Sequence, residues 1–578
     1  MLESIKKFFS LLSKKKKFFF ILIILTSVIG AALEMLSIGL IVPIVSSLNN
    51  NVITNSYLNY LLSFFRIFED KIILILLLVL ILIFIFKTIF FTLFSFINTK
   101  FSADLNTDIS SRIFNNYIYQ NYSFFLKRGS SSLIQNINIE ISNFINIFFA
   151  SLLVFLNEFI TLFGISIILI YISPLSFFLF IFIICFFSIF FIYSVSKLLK
   201  KFGHQRQSYQ LTALRQLQEG IRNIKDLKIY NLESKFYKYF SSQVRLYSNI
   251  ERYVNFLSVI PRYYIELIGV FFFVIVINVF LFLNYSNERI IIILSVFSLS
   301  ALKILPSVNR IINSIIKLKY SHVSLEAIHN DINLRIPSIK NLPHKKKLVI
   351  FNKKLILRKV SYFYENRNRF ILKNVNIKIS LGKIIGIVGD SGSGKTTLID
   401  LILGVIKPNT GKILCNTIDL TKNLRSWQSQ IGYVQQNSYL IEDTIAKNVA
   451  FGQQNINLLP DVKRVNYCLN LVGLKNFIEK LPKKIDTNVN ELGRNFSGGQ
   501  KQRICIARAL YLKPEILILD EATNSLDEVS EVNVIKNIRL LSRENKKTVI
   551  IITHKKSLLK YCDEIFEVKN KNVKNYKF

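Results

Sequence analysis

The chain has 578 residues, 51% of them hydrophobic, with 50 phenylalanines and a formal charge of +38. That length exceeds one core, so two or more domains are expected, and a mean hydropathy of +0.38 is high for a soluble protein of this size. The charge is not laid out as a nucleic-acid face: it crowds into Lys14–Lys17, residues 197–252 and Lys345–Lys347. No aromatic-interleaved basic stripe accompanies it, so it is read as membrane topology, with no nucleic-acid partner. Five scattered cysteines without a CxxC spacing exclude a disulfide framework or a zinc site.

In chain order, six segments are long and apolar enough to span a bilayer of about 30 Å. They lie near 18–48, 71–98, 138–172, 174–199, 254–284 and 289–316. The first follows basic residues like a signal peptide, but its apolar run continues too far, so an uncleaved membrane helix is expected. Six lysines against Glu3 in the first 17 residues, and twelve Lys or Arg against four acids in 196–253, mark the cytoplasmic side. Both termini are therefore expected inside, with long helix-patterned cytoplasmic loops at 99–137 and 200–253. In the outward loop, Tyr57–Phe65 reads either as an interfacial amphipathic helix or as an ordinary loop helix. Charged residues inside spans default to function. Lys87, Arg262, Lys303 and Arg310 are such residues, at a depth suited to a diphosphate headgroup arriving from the inner leaflet. Arg262 can instead pair with Glu266 four residues on, and Lys87 and Arg310 can snorkel. Glu34 and Glu158 read as helix–helix hydrogen-bonding groups.

The stretch 336–347, with two prolines nearby and a lysine run, reads as a linker between a membrane domain, 1–335, and an α/β domain, 348–578. In the latter, Gly389, Asp390, Ser391, Gly392, Ser393, Gly394, Lys395 and Thr396 form G-x-x-x-x-G-K-T. An apolar strand pattern (383–388) precedes it, and a helical run opening at Thr397 follows it. Backbone N–H groups of such a loop cradle phosphates. Lys395 is expected on the β- and γ-phosphates of ATP, and Thr396 on Mg²⁺. Ile516–Asp520 reads as a buried parallel strand delivering Asp520 to Mg²⁺ and Glu521 to the attacking water. Thr548–Thr553 reads as a second such strand, ending at His554, a γ-phosphate contact. Ser497-Gly498-Gly499-Gln500 opens a helix as an N-cap.

The order and spacing of these elements resemble the ABC transporter ATPase family over about 360–570. In that family the serine and glycine amides of Ser497–Gln500 bind the γ-phosphate of ATP held by a second subunit. The resemblance also implies that Tyr364 stacks on adenine and that Gln436 links Mg²⁺ to the membrane domain. It implies that Asp527, in Ser525-Leu526-Asp527, crosses the dimer interface, and that Thr487–Glu491 touches coupling helices near Asn121–Ser132 and Arg222–Leu232. Phe496 stands where leucine is usual, and Asn490 where glycine is usual. The fold class implied is an all-α six-helix membrane domain fused to a cytoplasmic α/β P-loop ATPase domain, working as an exporter homodimer. The absence of a protease-like segment before the first helix weighs against the peptide exporters that carry one.

Residues Ile260–Glu266, Leu305–Ile311 and the helix near 57–65 resemble the bacterial lipid-linked oligosaccharide flippases (the PglK type). That resemblance implies ATP-driven flipping of a polyprenyl-diphosphate oligosaccharide across the bacterial cytoplasmic membrane. Lys87 and Lys303 stand where that family tends to have arginine, which keeps charge but loses bidentate geometry. A broad lipid or multidrug exporter is the alternative.

Overall fold

The computed structural model describes residues 2–40, 72–172, 174–283, 287–335, 349–364, 369–453, 455, 458–490 and 493–576. The predicted helix at 57–65, the linker 336–347 and Glu491 lie outside these residues. The chain divides into two compact units: Met1–Gln120 with Phe125–Arg335, and Asn121–Phe124 with Ile336–Phe578.

The first unit is helical. Its elements are α1 (Leu2–Leu11), α2 (Lys14–Gly39), α3 (Ile72–Ile118), the short α4 (Tyr122–Lys127, split between the units), α5 (residues 130–172), α6 (Pro174–Arg222), α7 (Ile224–Ile229), α8 (Glu233–Phe282), α9 (Asn287–Tyr320) and α10 (His322–Ile332). Among the described residues, α2, α3, α5, α6 and α8 are long and apolar enough to cross a membrane. The long helix α9 covers the expected sixth span. Two expected cytoplasmic loops are largely uninterrupted helix: α3 runs on to Ile118, α6 to Arg222, and α8 starts at Glu233. The reason is local. These stretches keep their helical apolar spacing after they turn polar, and no glycine–proline pair breaks them. Pro261 and Pro306 sit inside unbroken helices.

Phe182, Phe186, Ile189 and Tyr193 are exposed along one face of α6. This spacing makes an apolar stripe of the kind that faces lipid. Its buried face packs on α8, where the rings of Phe180 and Phe272 lie 4.5 Å apart. The helices α6 and α9 approach closely at Gly203, where a Cβ would meet the Tyr320 carbonyl at 2.4 Å.

Polar groups tie the ends of these helices together. Arg206 of α6 reaches Glu140 at 2.8 Å and Ser324 of α10 at 3.0 Å. Both Arg206 and Glu140 are almost fully buried. Asp331 of α10 accepts from Asn136 at 2.6 Å, from Arg128 at 2.5 Å and from the Tyr117 hydroxyl. Asn136–Glu140 and Phe144–Phe149 are π-helical turns within α5. An extra residue per turn re-aims side chains, and here both Asn136 and Glu140 enter this network.

The second unit holds two sheets. Strands β1 (Lys354–Tyr362), β2 (Leu372–Ser380), β4 (Thr410–Cys415) and β5 (Ile418–Asp419) form an antiparallel sheet in the order β2-β1-β4-β5. Strands β3 (Ile384–Val388), β6 (Ile431–Val434), β7 (Ile516–Asp520), β8 (Thr548–Ile552), β9 (Glu564–Lys569) and β10 (Asn572–Asn575) form the other, in the order β10-β9-β3-β8-β7-β6. All but β10 run parallel. Strands β7 and β8 are buried at every residue, as expected for a parallel sheet covered on both faces. Pairing of Leu519 with Ile551 and of Asp520 with Ile552 brings the ends of β7 and β8 to one edge.

Candidate nucleotide site

The site is assembled at that edge. After β3 the chain turns through Gly389 and enters the helix Lys395–Leu403. A Cβ on Gly389 would lie 2.4 Å from the Val568 carbonyl, and Gly389 has φ +151. Gly394, with φ +107, caps the helix, and a Cβ there would meet Ile371 at 3.0 Å. These two positions therefore demand glycine, both for conformation and for space. Lys395 is buried and donates to the carbonyls of Gly389 and Asp390 at 2.8 and 2.9 Å. Burial pulls its ammonium below the ordinary lysine value, opposed by Glu521, Asp390 and Asp520. Thr396 is exposed at the helix start, and Thr397 is buried behind it. Asp390, Ser391 and Gly392 lie exposed along the loop, with Ser393 half-buried.

Asp520 ends β7 and is buried. Burial, then the neighbouring charge of Glu521, pushes its carboxyl up. The Tyr433 hydroxyl, on β6, lies 3.4 Å from it, and burial with the Asp520 charge pushes that phenol up as well. Glu521 follows at φ 47, a left-handed conformation uncommon for a residue with a side chain. Its carboxylate accepts from the Gln436 amide at 2.7 Å and from Asn524 at 3.0 Å, and faces His554 Nε2 at 3.1 Å. The strand ends thus converge on one carboxylate: Gln436 comes from beyond β6, Glu521 from β7 and His554 from beyond β8. Asn524 and Tyr433 were not anticipated from the sequence. Asn524 lies three residues after Glu521 in a turn, and such turn asparagines are the available signal.

Ser497 caps the helix Gly498–Tyr511 with a reciprocal capping box: its hydroxyl accepts from Gln500 N at 3.2 Å, and the Gln500 side chain accepts from Ser497 N at 2.9 Å. Gly499 packs on Ser525 and Leu526, where a Cβ would sit 3.0 Å from the Ser525 carbonyl. Ser497 and Gly498 are exposed, and none of the described contacts joins them to the loop at Gly389–Thr396. Asp527 caps the helix Glu528–Asn545 by accepting from Ser530 N at 3.0 Å. Phe496 is buried edge-on against Phe477, so the larger ring fits where leucine was expected. Asn490 accommodates its side chain at the surface, with its N–H on Asn495 at 3.2 Å.

A cavity of about 610 Å³ beside the loop is lined by Arg369, Phe370, Ile371, Gly392, Ser393 and Lys571, among others. Tyr364 packs edge-on against Tyr362, with ring centres 5.1 Å apart. It is not among the described lining residues of that cavity, whereas Phe370 is.

In the helical unit the four basic residues do not form one patch. Lys87 of α3 and Lys303 of α9 both pair with Glu34 of α2, at 2.9 and 3.1 Å. Arg310 pairs with Glu158 of α5 at 2.6 Å, and Arg262 with Glu266 of its own helix at 3.0 Å. Lys303 and Arg310 lie on one unbroken helix, yet reach different neighbours. Arg262, Glu266, Asn309 and Arg310 line a common cavity of about 550 Å³ with apolar walls at Val270 and Leu302.

Family models match both units: one for the ABC transporter transmembrane region at residues 20–302, and one for the ABC transporter at 372–524. Over 217 residues the chain is 41% identical to the multidrug resistance-like ATP-binding protein MdlA of Buchnera aphidicola subsp. Baizongia pistaciae, covering 37% of each chain. Over 215 residues it is 39% identical to the alpha-hemolysin translocation ATP-binding protein HlyB of Escherichia coli, covering 37% of this chain and 30% of that protein. The chain thus spans about a third of the length of these curated relatives. The structure of a bacterial Atm1-family ABC exporter with ATP bound shares the fold, with a TM-score of 0.77 at 20% identity over 96% of this chain and 94% of that one.

Proposed function

The chain belongs to the ABC transporter family, its transmembrane and ATPase regions matching the family models in turn, and from this we infer that it is an ATP-driven membrane exporter acting as a homodimer. The observation that carries the reading is Glu521, held by Gln436, His554 and Asn524 at the sheet edge beside the phosphate loop.

The residues fit ATP with Mg²⁺. The glycine-walled loop leaves its N–H groups for phosphate oxygens, and Lys395 has an ammonium that already bonds only carbonyl oxygens of that loop. Thr396, Asp520 and the amide oxygen of Gln436 make an all-oxygen donor set of the kind Mg²⁺ prefers. When bound, the ion would offset charge on the phosphates. Glu521 would accept a proton from the attacking water, and Gln436 and His554 hold its carboxylate in place for that task. Ser497, Gly498 and Gly499 present an N-cap to the outside of their own unit. A second copy is the partner whose loop such a cap completes, and closed two-fold symmetry lets each copy serve the other. Asp527 directly follows Ser525 and Leu526, on which Gly499 of this cap packs. Tyr364 and Phe370 both offer aromatic faces for adenine.

The cargo we assign is a polyprenyl-diphosphate-linked oligosaccharide, moved from the inner to the outer leaflet of the cytoplasmic membrane with both termini on the cytoplasmic side. Support comes from Lys87, Arg262, Lys303 and Arg310 within apolar helices, where cations default to function. A second reading, a lipid or multidrug exporter, is favoured by the pairing of each cation with a carboxylate and by the name of the Buchnera relative. Reconstitution in liposomes with a polyprenyl-diphosphate sugar tests the choice. ATP-dependent movement lost in Glu521→Gln and in Lys303→Ala supports the first reading. Movement indifferent to Lys303, with ATPase stimulated by varied amphiphiles, supports the second.

A further inference from the structure

Glu34 is a buried carboxylate shared by two ammonium groups from two other helices. It is 8% exposed. Lys87 Nζ lies 2.9 Å from its Oε2, and Lys303 Nζ lies 3.1 Å from the same oxygen and 3.2 Å from Oε1. Lys87 is equally buried. The other two intramembrane cations each have a carboxylate to themselves. Four cations therefore face three carboxylates, and among the described residues the surplus positive charge falls at Glu34. A surplus charge at membrane depth is costly. Two lysines converging on one singly charged group are a better match for an anion with more oxygens and more charge, because each ammonium can then take an oxygen of its own.

We propose that Glu34 is a resident counter-anion: it holds Lys87 and Lys303 together when no cargo is present, and yields them to the phosphate oxygens of the cargo headgroup. The proposal rests on the phosphate-lipid reading above and adds the group that the headgroup displaces. Glu34 thereby sets specificity. A diphosphate headgroup outcompetes the carboxylate, whereas a neutral, zwitterionic or cationic amphiphile, phosphatidylcholine included, cannot release it. Once its two cations are drawn away, the side chain of Glu34 is open to apolar carbodiimides, from which the paired ammonium groups otherwise screen it.

The test uses the full-length protein in phosphatidylcholine vesicles, with dicyclohexylcarbodiimide labelling of Glu34 read by mass spectrometry and ATPase read in parallel. Polyprenyl diphosphate should raise the labelling several-fold, and the same polyprenol without phosphate should leave it flat. An equal rise with soluble pyrophosphate would assign the displacement to the free anion, and its absence would assign it to the lipid headgroup. In Glu34→Gln, half-maximal stimulation of ATPase should need about tenfold less polyprenyl diphosphate, while Glu34→Asp stays near wild type. If wild-type ATPase responds to the lipid but labelling does not change, or if Glu34→Gln needs as much lipid or more, the counter-anion role is overturned and the phosphate-lipid reading stands. If wild-type ATPase ignores every phosphate lipid, both fall together.

Discussion

The side-chain amide of Gln436 donates to the carboxylate of Glu521 across 2.7 Å, joining the end of β6 to the end of β7. One short contact thus couples the residue expected to bear the metal with the residue expected to orient water. His554 approaches the same carboxylate from the third strand, β8.

Removing the carboxylate tests this arrangement directly. Glu521→Gln should lower the hydrolysis rate by about 10²–10⁴-fold, the usual contribution of a positioned base. ATP binding should persist, because the phosphate loop is untouched. His554→Ala should lower the rate less, since Gln436 and Asn524 still hold Glu521. Phosphate release and filter binding on the same preparations measure both.

Gly389→Ala should weaken ATP binding by about tenfold or more, given the 1–3 kcal/mol typical of a strained backbone position. The added Cβ would press on the Val568 carbonyl at 2.4 Å. Titration with a fluorescent ATP analogue checks this. Gly392→Ala is the control, because a Cβ there meets nothing within 4 Å, although its φ of +80 carries some strain of its own.

Glu140→Ala should cost about 3–5 kcal/mol of stability by leaving the Arg206 charge buried without its partner. Replacing both residues by apolar ones of similar volume should cost less than Glu140→Ala alone. Thermal unfolding of the detergent-solubilised protein gives the comparison.

Asp400 gives a pH signature. Burial, with the Asp520 charge behind it, raises its carboxyl from 3.8 to about 6. A raised carboxyl favours the folded state in its protonated form, so this contribution is complete below about pH 4 and is lost as the pH rises through about 6. Asp400→Asn should therefore melt higher than wild type by about 2–4 °C at pH 7.5, and the gap should narrow to about half by pH 5 and close near pH 4. Melting curves across that range decide it.

Much of the ATPase unit is legible in the sequence because its chemistry depends on local order. A glycine loop must follow a strand and open a helix, and β7 and β8 read as continuous apolar runs because both of their faces are covered. The links between strands are less legible. Nothing in the spacing says that Gln436 and His554 meet on Glu521, since that follows from strand order. The helical unit shows the same limit. Arg262 and Glu266 are four apart and their pairing is readable. Glu34 with Lys87 and Lys303 joins three helices at long separations. The network of Arg206, Glu140 and Asp331 depends on π-turns, for which the sequence carries no clear mark.

The helices α6 and α8, of 49 and 50 residues, have a consequence for motion. At 1.5 Å per residue each is about 74 Å long, well over twice the hydrocarbon thickness of about 30 Å. Crossing along the bilayer normal, each rod therefore has more than half of its length outside the hydrocarbon. A rod embedded near one end is a lever, so a few degrees of tilt within the lipid becomes a sweep of several ångströms at the distant tip, with no need to bend or unfold along the way.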